Sequence, residues 1–473
     1  MFFDLNSPHK DSILCTDEFQ NCCTYRDALS HATVLRKIIS PRTLAIIYCK
    51  NTIGSLLSYI ICLHNKIVPI LIDDMLPTNL KNRFIEIYEP NWIFQPSQSV
   101  SSLSLYQLYD YEIYKHSLRS IDMNPSLALL LTTSGSTGSP KLVRQSYQNL
   151  QANAESIDTY LELTNQSRPV TTLPMHYTFG LSIINSHLNV GATIFLTQKD
   201  IFTTDFWEYV KKNKITSIAG VPFTYECLER LKFTSMSLPY LELLTQAGGK
   251  LTVSLQQKFA EYAKINRKRF IIMYGQTEAT ARISYLPYFY ALSKLGSIGI
   301  AIPGGALTLI DDNGLTILNP YQQGELVYSG DNVTLGYAET RDDLSRGDDW
   351  NKSLLTGDIA YFDEDRFFYI VGRRKRFVKI QGKRINLDEI ESHLKECFSA
   401  IDIACTGTDQ KLLVYITSTL PSTQDDIIQE TLNAVQLHPI FIKVISIRNI
   451  PKTKSGKTDY KSLEKGLLDT NFS

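Results

Sequence analysis

The chain has 473 residues with 48 basic and 48 acidic side chains, so its formal net charge is zero. This length exceeds that of one ordinary domain and predicts two or three. A hydrophobic fraction of 43% with 20% charged residues is typical of a soluble globular protein. The balanced charge gives the protein no overall positive potential that would attract nucleic acid, so any anion binding has to be local.

Targeting signals and metal motifs are missing from the sequence. Residues 1–10 lack the basic flank and apolar centre of a signal peptide. The most apolar region, Ile53 to Asp73, is interrupted by Asn65 and Lys66, and predicts a helix and a strand rather than a transmembrane segment. The eight cysteines include no C-x-x-C pair. These features predict reduced thiols and a cytoplasmic protein.

Strand-like runs alternate with helical runs along the first part of the chain, which predicts an α/β fold of mainly parallel sheets covered by helices. The predicted strands are Thr43–Tyr48, Val68–Ile72, Trp92–Phe94, Ala192–Thr197, Thr216–Val221, Leu241–Leu244 and Arg269–Tyr274. The predicted helices are Ser146–Leu163, Leu181–Leu188, Asp205–Lys212 and Val253–Ala263, with a further helix starting near Phe223.

The texture of the sequence changes twice after residue 274. Between Gly296 and Ala360, short strands with frequent turns predict a small antiparallel or barrel-like β unit. From about Arg374 a compact α+β unit follows, with predicted helices at Asp388–Phe398 and Asp425–Val435. The predicted domains are residues 1–373 and residues 374–473.

A loop of small residues follows the apolar run Leu129 to Leu131, which predicts a buried strand. Its residues are Thr132, Thr133, Ser134, Gly135, Ser136, Thr137, Gly138, Ser139, Pro140 and Lys141. Backbone N–H groups in such a turn can surround phosphate oxygens, with hydroxyl donors and a lysine beside them. A flexible Ser/Gly connector has the same composition. The loop is not a Walker A motif, because the Gly-Lys-Ser/Thr ending is missing.

Three further motifs carry groups suited to a nucleotide. Glu278, in the run Tyr274, Gly275, Gln276, Thr277, Glu278, is a hard oxygen ligand for Mg²⁺. Asp358 and Arg373 suit ribose hydroxyls and phosphate oxygens. Lys457 ends the run Pro451, Lys452, Thr453, Lys454, Ser455, Gly456, Lys457 and can bridge two anions. Taken singly, each motif also has a non-catalytic interpretation. The Tyr274 motif could be an ordinary turn at a strand end, and Arg373 could belong to a solvated basic face or a nucleic-acid patch. The run that ends at Lys457 could be an exposed terminal loop.

Together and in this order, the four motifs resemble those of the adenylate-forming superfamily: acyl-CoA and aryl-CoA synthetases, nonribosomal peptide adenylation domains and firefly luciferase. The resemblance implies a large N-terminal domain and a small mobile C-terminal domain. It implies that the residue 132–141 loop holds phosphates, Tyr274 stacks on adenine, Glu278 binds magnesium, and Asp358 and Arg373 hold ribose. The other residues that it assigns to the site are Gly248, Gly249, Gly275, Gln276 and Thr277, the catalytic Lys457, the hinge Lys375, and Lys379 in the segment presented to the thiol.

One position departs from the family pattern. Ile272 stands where a polar Asn or Gln usually lies two residues before the tyrosine. A carbonyl oxygen in the segment Ala247 to Gly249 is therefore expected to replace that side chain as the partner of the adenine amino group.

The implied reaction joins a carboxylic acid to ATP as acyl-AMP, with release of pyrophosphate, and then transfers the acyl group to a thiol. The expected cofactors are ATP, Mg²⁺ and either CoA or a phosphopantetheinyl carrier protein acting in trans; a catalytically silent nucleotide-binding scaffold is the alternative outside enzymes. His176, Tyr177 and Thr178 are the expected acid pocket. Amino-acid-activating domains have an Asp where this chain has Thr178, which favours a fatty, aryl or hydroxy acid.

Overall fold

The first large sheet has eight strands and a parallel centre. A computed structural model of the protein describes residues 1–6, 11–97, 104–132, 141–380, 383–408, 411–435, 437–453 and 457–463. In spatial order the strands are Tyr337–Ala338, Leu142–Ser146, Leu127–Thr132, Val68–Asp73, Leu44–Cys49, Trp92–Pro96, Tyr111–Lys115 and Tyr106–Leu108. The third to sixth of these strands run parallel, and the neighbours on both sides are antiparallel.

Both faces of this sheet are buried, which explains its unbroken apolar runs. Every residue of the strand Leu44–Cys49 is buried. Leu44 and Ile46 belong to one hydrophobic core, whereas Ala45 and Ile47 belong to another on the opposite face. The helices that cover the sheet are Tyr25–Ile38, Ile53–His64, Thr78–Tyr88 and Tyr147–Leu161.

A second sheet of five strands carries the Tyr274 motif at one strand end. Its strands are Ser217–Gly220, Leu243–Gln246, Arg269–Tyr274, Ser284–Leu286 and Ile300–Ala301, of which the first three are parallel. Packed with it are the helices Thr178–Asn189, Thr204–Lys212, Pro222–Arg230 and Val253–Ile265. A small sheet, Ile194–Phe195, Ile13–Thr16 and Cys22–Thr24, joins the N-terminus to this part of the molecule.

The region after Ile300 forms a separate antiparallel sheet of four strands. They are Gly305–Ile310, Gly324–Gly330, Ser353–Phe362 and Phe368–Arg373. The short 3₁₀ turns of the molecule are Phe233–Ser235, Thr277–Ala279, Tyr288–Tyr290, Asp342–Ser345, Arg374–Arg376 and Pro439–Phe441. The last strand of this sheet leads directly into the C-terminal part of the chain.

The C-terminal part is a small α+β unit with its own hydrophobic core, built from residues between Val378 and Ile442. It contains the hairpin Phe377–Ile380 with Lys383–Asn386, a sheet of Ile403–Thr408, Lys411–Ile416 and Ile442–Ser446, and the helices Leu387–Cys397 and Pro421–Val435. The predicted fold class, a large N-terminal α/β part and a smaller C-terminal α+β domain, is confirmed.

Most predicted elements of the large domain are present with shifted ends. The strand predicted at Ala192–Thr197 shortens to Ile194–Phe195, and its residue Phe195 forms an isolated parallel bridge with Val170. The antiparallel strand Leu142–Ser146 was not predicted. It pairs antiparallel with the strand Leu127–Thr132. The chain between the two strands, residues 133–141, is shorter than the crossover connection of about a dozen residues that parallel neighbours need.

Two further sequence expectations concern thiols and membrane crossing. All eight cysteines are free thiols, and six of them are buried. Within the described ranges, no helix is both long enough and apolar enough to cross a bilayer.

The side chain of Arg144 links the eight-stranded sheet to the segment that follows the strand Gly324–Gly330. It is fully buried, and its guanidinium donates to the carbonyl oxygens of Leu335, Tyr337 and Arg346 at 2.6, 3.1 and 2.6 Å. It also donates to Asp349 Oδ2 at 2.7 Å. Arg144 thereby fixes the backbone on either side of Tyr337.

We predict that Arg144→Leu lowers the free energy of unfolding by about 3–5 kcal/mol, because it leaves buried carbonyl groups and the Asp349 carboxylate without the donor that Arg144 provides. Urea denaturation followed by circular dichroism measures the change. Arg119→Leu is the matched control, since Arg119 pairs with Glu89 at the exposed surface, and it leaves the midpoint nearly unchanged. Equal shifts for the two variants would contradict the role of Arg144.

Candidate active site

The carboxylate of Asp358 lies where the Tyr274 motif meets the motif of Asp358 and Arg373. Asp358 pairs with Arg373 across two antiparallel strands, and its Oδ1 is 3.4 Å from Arg373 Nε. The hydroxyl of Tyr274 donates a hydrogen bond to Asp358 Oδ2. Asp358 is only 6% exposed; burial raises the pKa of its carboxyl group, while Arg373 and the Tyr274 hydroxyl lower it. The fold thus brings together the Tyr274 and Asp358 motifs.

The turn after Tyr274 depends on a glycine. A Cβ atom on Gly275 would lie 1.8 Å from the carbonyl oxygen of Ala281, so no other residue fits without moving the backbone. Gln276 then caps the 3₁₀ turn Thr277–Ala279. This turn buries Thr277 and leaves the next side chain, Glu278, partly exposed.

Glu278 is linked to the end of the Gly-rich loop through Tyr337. The hydroxyl of Tyr337 donates to Glu278 Oε1 at 2.7 Å, and Lys141 Nζ lies 3.5 Å from the centre of the Tyr337 ring. Lys141 Nζ is also 3.4 Å from Glu339 Oε1. Tyr337 therefore contacts both groups: Lys141 lies over the face of its ring, and the candidate metal ligand Glu278 accepts from its hydroxyl.

The middle of the Gly-rich loop lies outside the described residues. This applies to Thr133, Ser134, Gly135, Ser136, Thr137 and Gly138, together with Ser139 and Pro140. The two described ends are Thr132, which pairs with Leu142 at the end of its strand, and Lys141. Lys141, the last residue of this stretch, lies beside Tyr337.

Lys457 lies among the charged groups of the other motifs. Its backbone N–H donates to Thr453 Oγ1 at 3.2 Å, and the Thr453 N–H donates to the Lys457 carbonyl oxygen at 2.7 Å. Lys457 Nζ is 6.0 Å from the centre of the Tyr177 ring. Burial lowers the pKa of its ammonium group to about 8, and Arg373 contributes to the shift, while Glu278 and Asp358 oppose it.

Gly248 brings the aromatic ring of Tyr177 against the predicted nucleotide segment. Its backbone has a φ of +84°, and a Cβ atom there would lie 2.6 Å from the Tyr177 hydroxyl oxygen. Gln246, paired with Ile272 on the next strand, donates to the carbonyl oxygens of Ala247 and Gly249 at 3.2 and 2.9 Å. Gln246 thus positions two carbonyls of the segment in which one carbonyl is expected to meet the adenine amino group, and each retains a second lone pair.

The predicted acid pocket begins at a helix N-terminus. Tyr177 is the N-cap of the helix Thr178–Asn189, so Thr178 is its first residue. His176 precedes them and is partly exposed. A cavity lies between this helix and the five-stranded sheet, and its walls include Ile183, His187, Thr245, Met273 and Arg282.

One hydrogen bond and one ion pair hold the connection between the domains near the predicted hinge. The backbone N–H of Arg373 donates to Asp388 Oδ2 at 3.0 Å, and Arg374 forms an ion pair with Glu325. Lys375 lies in the 3₁₀ turn Arg374–Arg376. The side chains of Lys375 and Lys379 lie outside the described residues.

Three residues of the site were not predicted from the sequence. Tyr337 is 59 positions from Glu278, and a lone tyrosine in a turn-rich stretch gives no signal of that contact. Gln246 lies at the end of an apolar strand. Arg282 lies two positions before the strand Ser284–Leu286, where an arginine ordinarily points to solvent, yet here it is 3% exposed.

Comparison with known proteins gives the family. A model of the AMP-binding enzymes matches residues 25–338. The 2-succinylbenzoate–CoA ligase of Bacillus subtilis is 26% identical over 353 residues, which are 72% of this chain and 70% of that enzyme. The long-chain-fatty-acid–CoA ligase of Escherichia coli O157:H7 is 30% identical over 347 residues, which are 70% of this chain and 60% of that enzyme. The matches to CoA ligases such as these cover between 51% and 71% of the length of those enzymes.

A solved structure supports the same fold. The o-succinylbenzoate CoA synthetase of Bacillus subtilis, in complex with its acyl-adenylate intermediate, superposes with a TM-score of 0.79 at 21% identity. The superposition covers 97% of this chain and 96% of that one. The chain therefore belongs to the AMP-binding enzymes, the adenylate-forming class. Within that class it is an AMP-forming acid–thiol ligase of the acyl-CoA synthetase type.

We predict that the rate of adenylation falls as the pH rises through about 8, because Lys457 loses its positive charge there. The ammonium form exists below this pKa, so kcat/KM for ATP, which reports the free enzyme, is constant below pH 7.5 or so and falls about tenfold per pH unit well above it. Lys457→Arg keeps its charge over this range and loses the alkaline decline. An unchanged decline in that variant would contradict the assignment.

We predict that Tyr337→Phe raises the Mg²⁺ concentration needed for half-maximal activity by about tenfold, because the Glu278 carboxylate loses the donor that orients it. Titration of pyrophosphate release with MgCl₂ at fixed ATP measures this effect. Tyr240→Phe, at a tyrosine that is 48% exposed, is the control and leaves the titration unchanged. If Tyr337→Phe gives the same curve, Tyr337 does not orient the metal ligand.

Proposed function

We propose that this enzyme activates a carboxylic acid without an amino group as acyl-AMP and then transfers the acyl group to CoA. The observation that carries the proposal is the position of Lys457. Its side chain is partly buried, its Nζ faces the Tyr177 ring at 6.0 Å, and it lies within electrostatic reach of Asp358, Glu278 and Arg373. A carboxylate and a triphosphate repel each other, so a cation held between them is the chief requirement of adenylation.

Each motif has a proposed role in binding ATP. The loop from Thr132 to Lys141 holds the β- and γ-phosphates, and Tyr274 lies beside adenine. Asp358 and Arg373 hold the ribose; the Asp358 oxygens that already accept from Tyr274 and pair with Arg373 keep lone pairs for ribose hydroxyls. Lys457 contacts the α-phosphate and the substrate carboxylate. Residues with supporting positions are Gly248, Gly249, Gly275, Gln276 and Thr277.

The residues present fit a magnesium ion. Mg²⁺ in nucleotide sites is usually bound by one or two carboxylates together with substrate phosphates. Glu278 offers such a carboxylate, with one oxygen oriented by the Tyr337 hydroxyl and partial exposure toward the site. When bound, the ion would neutralise phosphate charge. Glu278 is its proposed ligand.

The proposed acid carries no ammonium group. A desolvated ammonium needs a counter-charge, and the pocket entrance has Thr178 where amino-acid-activating domains have an aspartate. The names of the relatives also denote acids without amino groups, 2-succinylbenzoate and long-chain fatty acids.

The second half-reaction is proposed to use a rotation of residues 374–473 about Lys375. The rotation would withdraw Lys457 after adenylation and present the segment near Lys379 to the thiol, as one site serves two steps. The names of the relatives support CoA as the thiol. A phosphopantetheinyl carrier protein in trans is the alternative acceptor.

The test is release of pyrophosphate from MgATP with a panel of fatty, aryl, hydroxy and amino acids, with and without CoA. We predict that Lys457→Ala loses about 100- to 1,000-fold in rate, the usual cost of removing one donor to developing charge. Lys443→Ala, at an exposed lysine of the same domain, keeps the wild-type rate. A Lys457→Ala enzyme with full activity would contradict the proposed role.

The panel also separates the alternatives. Stimulation by CoA supports a CoA ligase, whereas stimulation only by a carrier protein bearing phosphopantetheine would replace CoA as acceptor. Greatest activity with an amino acid would overturn the assignment of the acid. ATP binding without pyrophosphate release under every condition would identify a nucleotide-binding scaffold.

A further inference from the structure

A histidine, a cysteine and a glutamate lie together on the C-terminal domain, and none of them has a role in the proposed adenylation. His393 and Cys397 belong to the helix Leu387–Cys397, and Glu430 belongs to the helix Pro421–Val435. Their ligating atoms all lie within 4.8 Å of one another. Imidazole nitrogen, thiolate sulfur and carboxylate oxygen are the protein ligands that bind zinc.

The helical spacing places two of these groups on one face. Residues four positions apart in an α-helix lie one turn apart on the same side. His393 and Cys397 have this spacing, and Cys397 Sγ lies 3.8 Å from His393 Nε2. Two ligands four residues apart on a helix can contact one ion, as the paired histidines of zinc metalloproteases do. One helix thus supplies a nitrogen and a sulfur.

Glu430 completes a triangle of ligand atoms from the neighbouring helix. Its Oε1 lies 2.7 Å from His393 Nε2 and 4.0 Å from Cys397 Sγ. Leu394 and Ile427, which belong to the hydrophobic core of this domain, are fully buried beside the helix turns that carry the three side chains. The core of the domain therefore sets the spacing of the ligands.

The separations of the three atoms are close to those around a zinc ion. Tetrahedral coordination with bonds of about 2.0–2.3 Å separates neighbouring ligand atoms by about 3.3–3.6 Å. All three measured separations lie within about 0.6 Å of this range. Small rotations of the side chains are enough to bring the atoms to the distances that zinc requires, without moving either helix.

Charge and access also suit a cation. Glu430 and Glu396 both act electrostatically on the Cys397 thiol, and their negative charges favour a cation beside it. Cys397 is exposed, and His393 and Glu430 are partly exposed, so an ion can enter from solvent. A hydrogen bond between His393 and Glu430 accounts for their short separation, but it assigns no role to the thiol that lies beside both.

We propose that His393, Cys397 and Glu430 bind one Zn²⁺ ion, which joins the two helices of the C-terminal domain. Three protein ligands leave the fourth tetrahedral position to water. A thiolate and an imidazole select zinc over magnesium, which prefers oxygen ligands. The site is therefore chemically distinct from the proposed magnesium ligand, Glu278. The proposal does not depend on the proposed function.

The experiment uses the full-length protein, reduced and freed of metal ions with a chelator. It is titrated with Co²⁺ as a spectroscopic substitute for Zn²⁺, in the presence of excess Mg²⁺. A cobalt–thiolate bond gives a charge-transfer band in the near ultraviolet, which carboxylate ligands such as Glu278 do not give. We expect the band to saturate at one Co²⁺ per chain and to disappear when Zn²⁺ displaces the cobalt.

Variants identify the ligands. We expect Cys397→Ser to lose the band. His393→Gln and Glu430→Gln weaken zinc binding by about tenfold or more, measured by competition with a chromophoric chelator, because even a group that only orients a metal ligand usually contributes about 10- to 100-fold. Cys22→Ser is the matched control, since Cys22 is also an exposed free cysteine. It keeps both the band and the affinity.

Absence of the band in the wild-type protein, or its persistence in Cys397→Ser, would overturn the proposal and leave a hydrogen bond between two helices. The thermal midpoint gives a second measurement. Zn²⁺ raises the midpoint of the wild type and of Cys22→Ser, because binding to the folded state stabilises it, and leaves Cys397→Ser unchanged. An equal rise in Cys397→Ser would place the zinc elsewhere and overturn the assignment.

Discussion

The site depends on the buried carboxylate of Asp358. Tyr274 comes from the five-stranded sheet, Arg373 from the last strand before the C-terminal domain, and both bind this one side chain. Lys457, from the far end of the chain, is close enough for Asp358 to favour its charge. Burial raises the pKa of this carboxyl group, and the donor and the cations that converge on it oppose that rise. Three segments distant in sequence are thereby held at one point.

The electrostatics of the molecule are local. The chain is neutral overall, yet Lys141, Arg373 and Lys457 are gathered around the site. Lys141 already has partners in Tyr337 and Glu339, and Arg373 pairs with Asp358. Lys457 forms no ion pair with a described residue, although Asp358 and Glu278 favour its charge, and the substrates of adenylation are anions. The arrangement thus suits a small acid and a triphosphate rather than a polyanion.

Much of this arrangement was predictable because its residues lie in short contiguous motifs. Strand-end turns such as Tyr274 to Glu278 and the alternation of helices and strands carry local signals. Tyr337, Gln246 and Arg282 carry none, because their contacts are made across the fold and their neighbours in sequence are unremarkable. The antiparallel strand Leu142–Ser146 was missed for a related reason, since the short length of the connection before it, rather than its own composition, favours an antiparallel direction.

The central claim is that an acyl-AMP forms between Lys457 and Asp358. The most direct measurement uses a substrate acid labelled with ¹⁸O in its carboxylate and determines the mass of the AMP released after transfer to CoA. The account predicts that one labelled oxygen passes from the acid to AMP. Unlabelled AMP, or label in the pyrophosphate, would contradict it.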